Sequence, residues 1–147
     1  MKKVLVCAAV GALLTGTAVT ATAGTADGQG AQKRGLVLTP EDNGDCNASA
    51  PTGGSPNGFV ILNAPGKSGD TSKILGEVSL KKAPGTYTVE LSVGDDNCMP
   101  VGTLTTNDQG NGNFHVASPG TGGSYYVVLR NVNDSSQSFA SAPVTVR

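Results

Sequence analysis

The sequence predicts an all-β protein, an antiparallel β-sandwich or barrel of about seven to eight strands, and three observations carry that expectation. First, 21 Gly and 8 Pro among 147 residues leave little room for long helices, and with only 14% charged residues a coiled coil is excluded. Second, short runs rich in Val, Ile, Thr and Tyr alternate apolar with polar residues. Third, the gaps between them hold Gly, Pro, Asn and Asp without a helical period, so alternating strand–helix units do not fit.

The chain opens on Met1-Lys2-Lys3, an apolar run over 4–14 and the small residues Ala21-Thr22-Ala23. That order predicts a signal peptide over 1–23, cleaved before Gly24. The run is too short to span a bilayer, and no later stretch approaches the roughly 20 apolar residues a span needs. Cys7 has a poor lipobox in Val4-Leu5-Val6 and should leave with the signal. Residues 24–33 lack periodic apolar positions and are expected to form a flexible leader, so the domain covers 34–147. Without Lys2 and Lys3 the balance is 8 basic to 11 acidic residues, or −3. Such a balance gives no electrostatic reason to expect nucleic acid or an anionic membrane as partner.

Within the domain, strands are predicted over 35–39, 58–63, 72–82, 86–93, 101–106, 113–117, 124–131 and 138–146. Between the first two, 41–57 reads as a long loop carrying Cys46. Ala83-Pro84-Gly85-Thr86 is a turn sequence. If it closes a hairpin, Leu80 faces Val89 and Val78 faces Leu91, with Glu77, Ser79 and Glu90 on the polar side. A second hairpin is expected through 107–112, with Leu104, Phe114 and Val116 inward and His115 outward. Tyr125, Val127 and Leu129 continue the inward set. Tyr126, Val128 and Arg130 occupy the other face of that strand, which is therefore expected to be central and covered on both sides, or else to offer a contact surface.

Removal of Cys7 leaves Cys46 and Cys98 in an oxidising compartment, where one disulfide is the economical reading. Closing a loop of about 53 residues would contribute on the order of 4 kcal/mol. A zinc site would need further ligands, and His115 is the single histidine. A nucleophile–base pair faces the same shortage, and no Gly-x-Ser-x-Gly elbow occurs. Asp95-Asp96 before Asn97 reads more readily as a turn than as an acid/base pair, and Glu77 with Glu90 offers a second carboxylate pair. Calcium could use the oxygen-rich segments 41–45 and 107–111, although neither has EF-hand spacing. Asn47-Ala48-Ser49 and Asn133-Asp134-Ser135 match the glycosylation sequon and are expected to be silent behind a bacterial-looking signal. Lys33, Arg34, Lys67, Lys73, Lys81, Lys82, Arg130 and Arg147 read as a scattered, solvated set.

Gly58-Phe59-Val60-Ile61-Leu62-Asn63, Gly85-Thr86-Tyr87-Thr88-Val89-Glu90-Leu91 and the Thr/Asn-rich 102–114 resemble small secreted bacterial β-sandwich domains of the immunoglobulin-like kind. The export signal resembles an actinobacterial one. The resemblance spans about two-thirds of the chain and implies an immunoglobulin-like or other Greek-key sandwich. It carries over no active site, and the similar architecture of copper/zinc superoxide dismutases is set aside for function because those sites need several histidines. The resulting expectation is a secreted, non-enzymatic domain without cofactor or metal, stapled by Cys46 and Cys98. It would bind an extracellular protein or a cell-wall polysaccharide through Tyr126, Val128 and Arg130, and secondarily through Asp95, Asp96 and Asn97. The alternative is a small secreted hydrolase or sugar-acting enzyme using Asp95, Asp96 and Glu90.

Overall fold

A computed structural model of the chain describes residues 31–39, 54–63, 73–93 and 98–146. Its strands are β1 (Gln32–Leu38), β2 (Gly58–Asn63), β3 (Lys73–Leu80), β4 (Thr86–Ser92), β5 (Cys98–Thr105), β6 (Gly112–Pro119), β7 (Gly123–Asn131), β8 (Phe139–Ser141) and β9 (Val144–Val146), with one 3-10 turn at Ser135–Gln137. Each of the eight predicted runs holds a strand. The last is split in two around Ala142-Pro143, where proline cannot donate to a ladder. The expected signal peptide lies outside the described residues. β1 starts inside the expected leader because Gln32 and Lys33 pair with Leu62 and Ile61. The Gln32 side chain also accepts from the Thr145 amide and from Arg34.

All pairings are antiparallel, in the order β5-β4-β7-β8-β1-β2-β3-β6, with β9 beside the first half of β7. Short β8 links β7 to β1 and lets the sheet roll up until its two end strands, β5 and β6, lie side by side. The result is nearly a barrel. Side chains fill the seam between the two end strands: a Cβ on Gly102 would fall 2.4 Å from the Phe114 ring, and Ser118 contacts the Met99 sulfur at 3.9 Å. The inward residues form one core that includes Leu36, Val60, Leu62, Val78, Leu80, Val89, Leu91, Val127 and Leu129. Tyr87 and Phe139 meet edge-on in it, 5.8 Å between ring centres.

The expected hairpins do not form. Leu80 pairs with Gly58 and Gly112, while Val89 pairs with Gly102 and Leu129, so β3 and β4 are not neighbours. The residues face inward as alternation predicts, but each strand finds its partners elsewhere. Segment 81–85 is instead an arch: the Lys81 amide donates to Asn57 O, the Ala83 amide to Gly110 O and the Tyr87 hydroxyl back to Ala83 O. A Pro-Gly turn twists poorly with a tight hairpin, and these three anchors favour the arch. β5 and β6 lie side by side but share no ladder, β5 pairing with β4 and β6 with β3. Leu104 and Val116 are still buried, Phe114 is half-buried and His115 is exposed.

Candidate functional site

On β7, Tyr126, Val128 and Arg130 do share the outward face. Facing them across the β4 ladder are Ser92, Glu90 and Thr88. The middle of this face is closed, since Val128 is only 7% exposed and its neighbour Ala140 only 1%. Tyr126 is half-buried. Arg130 Nε donates to Glu90 Oε2 at 2.7 Å, and its guanidinium lies 3.9 Å from Cys98 Sγ. Burial raises the Glu90 carboxyl above its ordinary value and lowers the Arg130 guanidinium, so desolvation works against a pair that Coulomb attraction favours. Glu90 is thereby committed to Arg130, and Glu77 lies on β3, which pairs with β2 and β6 and not with β4, so the two do not form a carboxylate pair. Asp95, Asp96, Asn97 and Cys46 lie outside the described residues. Cys98 opens β5, half-buried and opposite Ser92.

The outer face of β1-β2-β3-β6 has a different character. One cross-strand row reads Gly35, Phe59, Ser79, Asn113, and the next Lys33, Ile61, Glu77, His115. These side chains point out because Val60, Leu62, Val78, Leu80 and Val116 take the inward parity. Gly35 gives the Phe59 ring no side-chain neighbour in its own row on the β1 side. From the adjoining row the Lys33 ammonium reaches over that ring, 4.0 Å from its centre. This is a cation–π contact worth about 0.5–1 kcal/mol at an exposed position.

Phe59 lines two hollows at one end of this face. One, of about 350 Å³, is bounded by Pro56, Asn57, Gly58, Phe59, Lys81 and Lys82. The other, of about 520 Å³, lies between Phe59, Glu77, Ser79, Lys81, Asn111 and Asn113. A phenyl ring, carboxamides, a hydroxyl, a carboxylate and ammonium groups therefore converge on one stretch of surface.

Lys82 stands where these hollows meet the arch. Its φ of 55° makes it the one non-glycine with positive φ among the described residues. That conformation costs an L-residue roughly 1–2 kcal/mol, and neighbouring bonds hold it. The amides of Lys81, Lys82 and Ala83 donate to Asn57 O, Asn111 Oδ1 and Gly110 O at 2.6, 3.4 and 3.1 Å. Gly110, at φ 75°, packs so tightly beneath that an added Cβ would sit 2.2 Å from Ala83 N.

The 107–111 turn is organised by Asn107, whose Oδ1 accepts from the amides of Gln109 and Asn111. That oxygen, offered as a calcium ligand by the sequence, is used to shape the turn. No group of three or more His, Cys, Asp or Glu side chains gathers among the described residues, and none of their helices is long and apolar enough to cross a membrane.

The sequence reading missed the surface around Phe59 because Lys33, Phe59 and Lys81-Lys82 come from three separate strands or strand ends. A usable signal existed. The outward parity of Phe59, opposite to that of Val60 and Leu62, marks an aromatic residue on a solvent face. Set beside known proteins, the chain matches no family model, and neither a curated protein nor a solved structure matches it.

Proposed function

We propose that the protein is an exported, non-enzymatic binding domain, an immunoglobulin-like sandwich stapled by Cys46 and Cys98, that takes an extracellular or cell-envelope ligand in the hollows beside Phe59. The carrying observation is the outward phenyl ring of Phe59, set among polar side chains and lining both hollows. Binding sites combine a few apolar contacts with convergent polar groups in this way.

Strand order supports the sandwich reading. β2-β3-β6 and β5-β4-β7-β8 follow the A-B-E and C′-C-F-G order of immunoglobulin-like domains, with β1 added between β2 and β8 and joining the two groups. Tyr125, near the start of β7, donates its hydroxyl to Thr121 O at 2.6 Å, as a tyrosine corner does at the equivalent crossing. The chain departs from antibody domains in having no Trp and in carrying Cys98 on β5.

The test pairs capture with an activity screen. Immobilised protein is incubated with culture-medium and cell-envelope fractions. Reproducible retention of one component, lost in Phe59→Ala and kept in Tyr126→Ala, supports the reading. Hydrolytic turnover abolished by Asp96→Asn overturns it in favour of an enzyme using loop carboxylates.

A further inference from the structure

We infer that the ligand is an acidic polysaccharide, a sugar chain carrying carboxylates, with the Phe59 ring as its stacking platform and Lys81 and Lys82 as its charge contacts. This rests on the reading of the hollows beside Phe59 as the binding seat, and it names the class of molecule that seat fits.

Charge complementarity is the first argument. The whole chain has a net charge of −1, so its overall field does not draw anions. Exposed Lys33, Lys81 and Lys82 nevertheless surround Phe59, while Glu77 is the single acidic residue among the described residues that line the hollows. Their ammonium groups are hydrated point charges that suit carboxylates spaced along a flexible chain.

The neutral groups are the second argument. Asn57, Asn111 and Asn113 offer both donors and acceptors, which matches the alternating character of sugar hydroxyls. The half-buried Phe59 ring supplies a flat apolar surface on which the C–H face of a pyranose ring stacks by displacing the Lys33 ammonium, now 4.0 Å from the ring centre. A peptide strand is a poorer fit, because β2 and β3 are paired along both edges and leave no ladder for strand addition. A single-stranded nucleic acid calls for successive stacking rings, and Phe59 is the one aromatic ring among the described residues at these hollows.

Lys82 is the third. A lysine held at φ 55°, where Gly or Asn is the comfortable choice, keeps its cationic side chain on the rim of the smaller hollow at the expense of backbone ease.

Affinity electrophoresis of the full-length protein through gels containing polygalacturonate, neutral dextran, polyglutamate or oligo-dT tests the inference. Polygalacturonate should retard it most. Retardation should weaken about fivefold in Lys81→Gln/Lys82→Gln, and also between about 20 and about 200 mM salt, as exposed charges are screened. Phe59→Ala should weaken it by a similar factor, and Phe59→Tyr should restore it. Circular dichroism of each variant separates loss of binding from loss of fold. Equal retardation by polyglutamate or oligo-dT overturns the inference in favour of a charge-only surface, and indifference to Phe59→Ala overturns the stacking platform. Equal binding to dextran, sensitive to Phe59→Ala, overturns the acidic class while leaving the seat at Phe59 in place. Failure of all four polymers overturns the polysaccharide class, and capture from envelope fractions then decides the broader reading on its own.

Discussion

Tyr87 donates its hydroxyl hydrogen to the carbonyl oxygen of Ala83, four residues upstream, across 3.2 Å. Tyr125 makes the same four-residue reach to Thr121 O. Each tyrosine enters a strand just after the chain has crossed from one part of the sheet to another. The buried ring fixes the strand while the phenol fixes the crossing.

For Tyr87→Phe, the expected loss is about 1 kcal/mol, because Thr106 Oγ1 still donates to Ala83 O when the phenol is gone. The variant should also alter the alkaline limb of stability. Burial raises the Tyr87 phenol above its ordinary value, Asn131 opposes this by hydrogen bonding and the Asp134 charge adds to it. A raised folded-state pKa contributes stability below the unfolded phenol value, lost as pH rises through the folded one. Thermal melts from about pH 8 to about pH 11 should show that slope in the parent and a shallower one in the variant.

Gly110→Ala should be among the more damaging single-methyl changes. The new Cβ would meet Ala83 N and adopt a left-handed conformation in the same step. A cost of about 2 kcal/mol or more, read from urea denaturation, is expected. An unchanged midpoint would mean that the arch over 81–85 does not depend on this contact.

Lys82→Gly should move stability the other way. Relief of the left-handed lysine outweighs the entropy of a new glycine by about 0.5 kcal/mol, a small upward shift of the melting temperature. Lys82→Val, with a branched Cβ in the same conformation, should lower it.

Reduction bears on the proposed staple. Mass spectrometry of the exported protein should find two hydrogens fewer than the dithiol, and reduction should cost on the order of 4 kcal/mol. Two freely alkylated thiols, or identical melts with and without reductant, would dismiss the bridge.

The sequence by itself determined the strands and their faces. Turn residues mark the ends of each run, and period-two alternation assigns Val78, Leu80, Val89 and Leu91 to the inside whatever strand lies next to them. Inward parity is a local property, set by each strand's own pleat. Which strand lies next was decided by tertiary structure alone. Leu80 beside Val89 and Leu80 beside Gly58 bury the same side chain and satisfy the same backbone groups. The choice falls to distant anchors such as Asn57 and Gly110. The surface around Phe59 was hidden for the same reason. Its aromatic ring, lysines and carboxamides are separated in the chain and become neighbours only when β1, β2, β3 and β6 take their places side by side.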